Sequence, residues 1–199
     1  MDKRKRRFNI VVGAPGTGKS TFIANTVKKY PGNVIVYKHL SSIDDPAFDF
    51  LSEKTETNWR QGAQPGAPVK CKISGETGKP YKEFLRWVKA NYRNGMLVID
   101  DCTIYEKYIV TDELAYLLSM RRQIGLDIWL VYHGLTRLPI DQFIFVNNIV
   151  IFNTIDNVQR KKDSTPKFDV FLQGIEQARN NYSSGGNLRY TPSIVHLYD

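Results

Sequence analysis

Near the start of the chain, a run of glycines followed by a lysine and a serine has the residue types and spacing needed to hold a chain of phosphates. The residues are Gly13, Ala14, Pro15, Gly16, Thr17, Gly18, Lys19 and Ser20, followed by Thr21. They match the pattern G-x-x-x-x-G-K-[ST] at every fixed position. Glycines let consecutive backbone N–H groups turn towards an anion, and a helix that begins here adds the positive end of its dipole. We therefore expect Gly13–Thr21 to bind the phosphates of a nucleotide.

Within this loop, two side chains have separate predicted roles. Lys19 is expected to contact the β- and γ-phosphates, and the Ser20 hydroxyl is expected to be a ligand of Mg²⁺. The context agrees, because the apolar run Phe8–Val12 before the loop is typical of a buried strand and residues 20–29 have helical spacing. A chance match in an unrelated glycine-rich turn is the alternative, and the flanking elements argue against it.

Two adjacent carboxylates follow a second apolar run. Met96, Leu97, Val98 and Ile99 predict a buried strand, and Asp100 and Asp101 come directly after it. In the Walker B element one such acid completes the Mg²⁺ shell and another polarises the attacking water. We assign Asp100 to the metal and Asp101 to the catalytic base. Paired acids after a strand also occur as turns or helix caps, but the position downstream of the phosphate loop favours the catalytic interpretation.

Three further residues are candidates with open alternatives. His133 follows the predicted strand 127–132, and ligands of open α/β sheets bind at the carboxyl ends of strands, so it is either a γ-phosphate sensor or an ordinary half-buried histidine. Arg121 and Arg122 are predicted in the last turn of a helix. There they either complement the helix dipole or serve as an arginine finger for a neighbouring subunit.

The remaining pattern alternates strands and helices, which predicts an α/β fold with a mostly parallel sheet. Further strands are predicted at 33–38, 127–132, 148–153 and 193–198, and helices at 81–92, from Thr111 to Gly125, at 138–146 and from Pro166 to about Asn180. We expect one domain over 1–199, with a basic tail at 1–7 and a C-terminal helix and edge strand within 156–199.

Residues 41–80 are rich in turn-forming residues and are predicted to form an irregular insertion. A short hairpin through residues 69–73 is possible within it. Trp59 and Arg60 could contact a nucleic acid by stacking and phosphate pairing. The alternative, that Trp59 fixes the loop to the domain, is favoured.

Charge and cysteine content limit the functional classes. The net charge is +8, and eight of the 28 basic residues lie in two clusters, 3–7 and 160–162, while the other 20 equal the 20 acidic residues. Such clusters suit attraction to DNA or merely aid solubility. Cys71 and Cys102 show no disulfide or zinc spacing. No membrane span or export signal is apparent, so we expect a soluble protein in a reducing cytoplasm.

The chain resembles the FtsK and HerA group of P-loop ATPases. The features that carry the resemblance are the phosphate loop, the strand followed by two acids, the sequence Arg-Arg-Gln-Ile-Gly-Leu at 121–126 and the strand that leads to His133. Because the chain is small, it is most similar to the genome-packaging ATPases of tailless, double-jelly-roll viruses. The resemblance implies an ASCE, RecA-like sheet in which an extra strand separates the two Walker strands. It also implies ATP and Mg²⁺ as cofactors, double-stranded DNA as partner, a ring of five or six subunits, a capsid vertex as a further partner, and a location in the host cytoplasm or the virion.

This resemblance carries roles to Lys19, Ser20, Asp100, Asp101 and His133 and to one of the two arginines, with two departures. The base is usually glutamate and the sensor commonly glutamine in that group, so Asp101 is one methylene shorter and His133 makes its contact dependent on pH. Three alternatives stay open: an inovirus-type assembly ATPase related to zonula occludens toxin, a small-molecule P-loop kinase, and a non-hydrolysing, nucleotide-gated DNA-binding adaptor. The first normally has a membrane span, and the second needs arginines in a lid.

Overall fold

The computed structural model describes residues 6–42, 44–54, 69–106, 109–136 and 138–198, and within them one sheet of eight strands. The strands are β1 (Phe8–Val12), β2 (Asn33–His39), β3 (Ser52–Lys54), β4 (Lys70–Gly75), β5 (Gly95–Ile99), β6 (Asp127–Tyr132), β7 (Asn148–Ile151) and β8 (Ser193–His196).

Their order in the sheet is β3-β4-β2-β5-β6-β1-β7-β8. Every neighbouring pair is parallel except β7 and β8, which are antiparallel. Strand β6 therefore lies between β1, which precedes the phosphate loop, and β5, which precedes the two acids. The extra strand that the family resemblance implied is confirmed.

Helices cover both faces of the sheet. They are α1 (Lys19–Lys29), α2 (Lys79–Asn91), α3 (Cys102–Tyr105), α4 (Asp112–Ile124) and α5 (Phe168–Ser183), with short 3₁₀ turns at Leu40–Ser42, Pro46–Phe48, Ile140–Ile144, Gln159–Ser164 and Gly186–Tyr190. Among the described residues, none of the helices has the length and hydrophobicity that a bilayer crossing requires.

Two hydrophobic cores lie on opposite faces because side chains alternate along each strand. In β1, Ile10 joins the larger core with α2, α4 and α5, whereas Val11 joins the smaller core with α1. All five residues of β1 are buried, as expected for a central strand of a parallel sheet. The phosphate loop therefore starts from one of the best-packed strands of the domain.

Most predicted elements are confirmed with small changes at their ends. Helix α4 begins at the predicted cap, where the Thr111 hydroxyl accepts a hydrogen bond from Leu114 N–H at 3.4 Å, and it ends at Gly125 with a φ of 73°. Strand β7 ends at Ile151 instead of residue 153, and α5 begins at Phe168 instead of Pro166.

The prediction of an irregular segment over 41–80 is wrong for residues 52–54 and 70–75, which are strands. Residues 70–75 form β4, which pairs in parallel with β2 and β3 and is therefore not part of a hairpin. The segment alternates Lys70, Lys72 and Ser74 with Cys71 and Ile73. This pattern is typical of a strand with one exposed face, and it does not indicate that the strand lies within the parallel sheet. Trp59 and Arg60 lie outside the described residues.

Candidate active site

The loop between β1 and α1 has the conformation that its glycines allow. Gly18 caps α1 with a backbone φ of 99°, a value that residues other than glycine rarely adopt. A Cβ on Gly13 would lie 2.6 Å from the Cβ of Phe152, so the loop also needs a glycine where it passes β7. Thr17 is buried, and its hydroxyl donates to Ala14 O at 2.7 Å. These contacts close the loop around its own backbone.

Lys19 is folded back onto this loop. Its Nζ donates to the carbonyl oxygens of Gly13 and Ala14, both at 2.8 Å. Burial lowers the pKa of Lys19 from 10.5 to about 8, and the negative charges of Asp100 and Asp101 act against that decrease. The lysine of the loop and the two acids after β5 therefore belong to one electrostatic site.

Asp100 is held by a residue that the sequence analysis did not select. Its Oδ2 accepts a hydrogen bond from Lys38 Nζ at 2.6 Å, and its Oδ1 accepts one from Asp101 N–H at 3.1 Å. Lys38 is fully buried, with a second carboxylate, Asp45 Oδ2, at 3.6 Å from its Nζ and the Phe48 ring 4.3 Å away. A buried lysine needs such partners because an unpaired charge in the interior is costly.

Asp101, which follows β5, contacts His133, which follows the adjacent strand β6. The contact joins Asp101 Oδ1 to His133 Nε2, and Asp101 has a φ of 56°, in the left-handed region that aspartate tolerates. Burial raises the pKa of Asp101, but the hydrogen bond from His133 and the charges of His133, Lys38 and Lys19 outweigh it, so the pKa is lowered. Asp101 is therefore an ionised carboxylate at neutral pH.

These groups line one cavity of about 670 Å³ at the carboxyl edge of the sheet. Of the predicted residues, the strand ends contribute Asp100, Asp101 and His133, and the loop contributes Pro15, Gly16, Gly18, Lys19, Ser20 and Thr21. Its lining also includes Lys38, Asp45 and Tyr190, none of which the sequence analysis named. Lys38 could have been found, because it stands at the carboxyl end of a buried strand, as Asp100 and His133 do.

The two arginines are not brought to this cavity. Arg121 is buried, and its guanidinium donates to Leu118 O at 2.7 Å, Phe145 O at 3.1 Å and Asn147 Oδ1 at 3.4 Å. Helix α4 ends just before β6 begins, so its last turn lies at the opposite edge of the sheet from the phosphate loop. Arg121 thus has a structural role within its own chain, while Arg122 is exposed.

The side-chain oxygens of Ser20 and Asp100 are compatible with a magnesium ion. Mg²⁺ needs only one or two protein oxygens, since phosphates and water supply the rest. Ser20 and Asp100 face the same cavity and offer such oxygens, and a cation, the Lys38 ammonium, already neutralises Asp100. In the described part of the chain, no group of three or more histidine, cysteine, aspartate or glutamate side chains forms a metal cage.

Comparison with solved structures supports this picture of the fold. The genome-packaging NTPase B204 of Sulfolobus turreted icosahedral virus 2 in complex with AMP is 17% identical, with a TM-score of 0.67 over 90% of this chain and 89% of that chain. The same protein in complex with ATP-gammaS gives 14% identity and a TM-score of 0.65 over 99% and 94%. The chain has the P-loop NTPase fold.

A second protein of known structure is less similar. The N-terminal domain of zonular occludens toxin from Neisseria meningitidis is 12% identical, with a TM-score of 0.50 over 79% of this chain and 90% of that chain. No protein-family profile and no curated protein sequence matches this chain. The P-loop NTPase fold is therefore recognised from the arrangement of strands and helices.

Proposed function

We propose that this chain is an ATP-hydrolysing DNA translocase that packages viral double-stranded DNA into a capsid. The single observation that carries the proposal is the cavity in which Lys19 and the acids after β5 meet, within a fold shared with a viral genome-packaging NTPase. A phosphate loop and Walker B acids at the carboxyl ends of strands in the same sheet are the parts that P-loop NTPases use for phosphoryl transfer.

In this proposal the loop amides and Lys19 bind the β- and γ-phosphates, and Ser20 and Asp100 hold Mg²⁺. Held there by Ser20 and Asp100, Mg²⁺ would supply positive charge against the negative charge that develops on the transferred phosphoryl group. Asp101 accepts a proton from the water that attacks the γ-phosphorus, while the bond from that phosphorus to the bridging oxygen breaks. His133 keeps the Asp101 carboxylate in place through its ring Nε2.

Movement of DNA would be coupled to γ-phosphate loss through Asp101 and His133, which stand at the ends of the neighbouring strands β5 and β6. We propose that the protein acts as a ring of five or six subunits, with a capsid vertex as a further partner, in the host cytoplasm or the virion. The basic clusters would contact the DNA backbone without reading bases. Lys162 in the second cluster is exposed, whereas Arg6 in the first pairs with Asp127 at 3.1 Å.

ATP turnover measured with and without double-stranded DNA, at low and high salt, tests this function. We expect DNA to stimulate turnover and the stimulation to fade as salt rises, since phosphate contacts release counterions. The Lys19→Ala protein is the control and should show no turnover under either condition. Turnover that requires a small acceptor molecule would instead indicate a kinase, and nucleotide and DNA binding without turnover would indicate an adaptor.

A further inference from the structure

The cavity has an aromatic residue at the end opposite to the acids. Tyr190 ends the 3₁₀ turn Gly186–Tyr190, which leads into β8. Because β8 is antiparallel to β7, with Ser193 paired to Ile151, the start of β8 lies at the carboxyl edge of the sheet. The phosphate loop follows β1, so β7 and β8 lie on one side of it and β6 and β5 on the other.

Tyr190 packs directly against the phosphate loop. A Cβ on Gly18 would lie 3.3 Å from Tyr190 Cδ1 and 3.4 Å from Tyr190 Cβ, so the ring is in contact with the residue that precedes Lys19. The tyrosine is nevertheless 55% exposed and lines the cavity. One side of the ring therefore supports the loop, and the rest is available to a ligand.

The turn that carries Tyr190 is fastened to helix α5. Asn181 Nδ2 donates to Thr191 O at 3.1 Å, and Thr191 N–H donates to Leu188 O at 2.9 Å. The Arg189 guanidinium donates to the Tyr182 hydroxyl at 2.6 Å. These bonds hold the ring in position before a ligand arrives, which reduces the ordering cost of binding.

We propose that Tyr190 forms the nucleobase subsite, on which the base of the bound nucleotide stacks. The inference rests on the proposed nucleotide site, in which the γ-phosphate points towards Asp100 and Asp101. The other end of the nucleotide then extends past the loop towards β7 and β8, where Tyr190 is the exposed ring. Stacking accepts any base with a π-face.

Asn25 also lines the cavity, and it lies one helical turn after Thr21 on α1. Its amide can both donate to and accept from the edge of a base, so it can adapt to adenine or to guanine. A purine offers a larger π-face to the Tyr190 ring than a pyrimidine does, so the site should bind purines more tightly, and the Asn25 amide should distinguish ATP only weakly from GTP. The ligand class is a purine nucleoside triphosphate.

Calorimetric titration of the whole chain with ATPγS, GTPγS, CTP and inorganic tripolyphosphate tests this subsite. Tripolyphosphate contains the phosphates without the base, so it separates stacking from support of the loop. We expect Tyr190→Ala to weaken ATPγS and GTPγS binding about tenfold and to leave tripolyphosphate binding unchanged. Tyr190→Phe should bind like the wild type. Leu188→Ala, an exposed position of the same turn, is the matched control.

Equal weakening of ATPγS and tripolyphosphate by Tyr190→Ala would overturn the subsite, because the ring would then only support the loop. Unchanged binding of ATPγS by that variant, or equal affinities of the wild type for CTP and ATPγS, would overturn it as well. A wild-type protein that binds neither tripolyphosphate nor ATPγS would contradict the nucleotide site itself. Thermal melting of each variant shows whether a loss of binding comes from unfolding.

Discussion

Lys38 Nζ lies 2.6 Å from Oδ2 of Asp100, the carboxylate that is predicted to bind magnesium. The pair is shielded from solvent, since the Lys38 side chain is fully buried and that of Asp100 is 13% exposed. A lysine in this position neutralises the acid when no metal is bound. It also means that Mg²⁺ has to share or replace an existing partner when it binds.

Replacing Lys38 by methionine should therefore strengthen metal binding. Asp100 and Asp45 would be left as two uncompensated carboxylates, so we expect Mn²⁺, used as a spectroscopic substitute for Mg²⁺, to bind about tenfold more tightly. The metal-free protein should lose about 1–3 kcal/mol of stability because a buried acceptor loses its partner. Electron paramagnetic resonance measures free Mn²⁺, and melting measures stability.

The double variant Lys38→Met, Asp100→Asn is the control for this change. It is compared with Asp100→Asn alone: with the proposed metal ligand absent from both proteins, Lys38→Met should no longer raise Mn²⁺ affinity. A Lys38→Met protein whose Mn²⁺ affinity is equal to or below that of the wild type would show that Lys38 does not compete with the metal.

Nucleotide binding should depend on pH through Lys19. Its pKa is about 8 in the free protein, and bound phosphates favour the charged form, so the pKa rises in the complex. Below pH 8 the lysine is charged in both states, and no proton is taken up by it. Above pH 8 binding takes up as much as one proton, so ATPγS affinity should fall as pH increases.

Calorimetry at pH 7 and pH 9, in buffers that differ in ionisation enthalpy, measures this proton uptake. The Lys19→Arg protein is the matched control, since arginine keeps its charge over this range. Uptake at pH 9 that is the same in both proteins would assign the proton to another group.

Asp101→Asn should keep nucleotide binding and lose turnover. The amide is similar in size but cannot accept the proton of the attacking water, and general-base catalysis typically contributes about 10²–10⁴-fold in rate. ATPγS affinity and the rate of phosphate release are measured on the same preparation. Asp112→Asn, an exposed acid at the start of α4, serves as control. Normal hydrolysis by Asp101→Asn would show that the base lies elsewhere.

Arg121→Ala should reduce stability. The guanidinium connects α4 to Phe145 and Asn147, and its loss leaves buried acceptors without partners. We expect a loss of about 2–4 kcal/mol, which corresponds to a fall in melting temperature of roughly 4–16 °C for a chain of this length. Arg122→Ala, exposed in the same turn, should change stability by less than about 0.5 kcal/mol.

Mixing either arginine variant with Lys19→Ala subunits tests the arginine finger. Restored turnover requires that the arginine acts across a subunit interface, in a subunit pair where one member supplies the intact loop. We expect no restoration that depends on Arg121, because its guanidinium is bound within its own chain. Restored turnover in the mixture of Arg122→Ala with Lys19→Ala subunits would assign the finger to Arg122.

The central part of the fold could be predicted because its signals are local. An apolar strand followed by the phosphate loop specifies β1 and α1, and buried runs that end in polar residues specify β5 and β6. The edge of the sheet at β3 and β4 could not be predicted in the same way. Strand β4 is stabilised mainly by its parallel partners β2 and β3, which are distant in sequence.

The candidate site was predictable to the same extent. Lys19, Asp100 and Asp101 follow from a motif and from spacing. Lys38 also stands at a strand end, but its pairing with Asp100 depends on the order of strands, which places β2 directly beside β5. Arg121 illustrates the opposite case, because its position in a last helical turn is compatible with two roles. Only the burial of its guanidinium against Phe145 and Asn147 distinguishes them.

A crystal structure of the protein with Mg²⁺, ADP and aluminium fluoride would examine the proposed chemistry in one experiment. We expect the fluoride, which imitates the γ-phosphoryl group in transfer, to lie between Lys19 Nζ and the Asp101 carboxylate, with the attacking water in hydrogen-bond contact with Asp101. An analogue bound elsewhere, or one whose water contacts neither Asp101 nor its partner His133, would contradict the assignment of this cavity as the hydrolytic site.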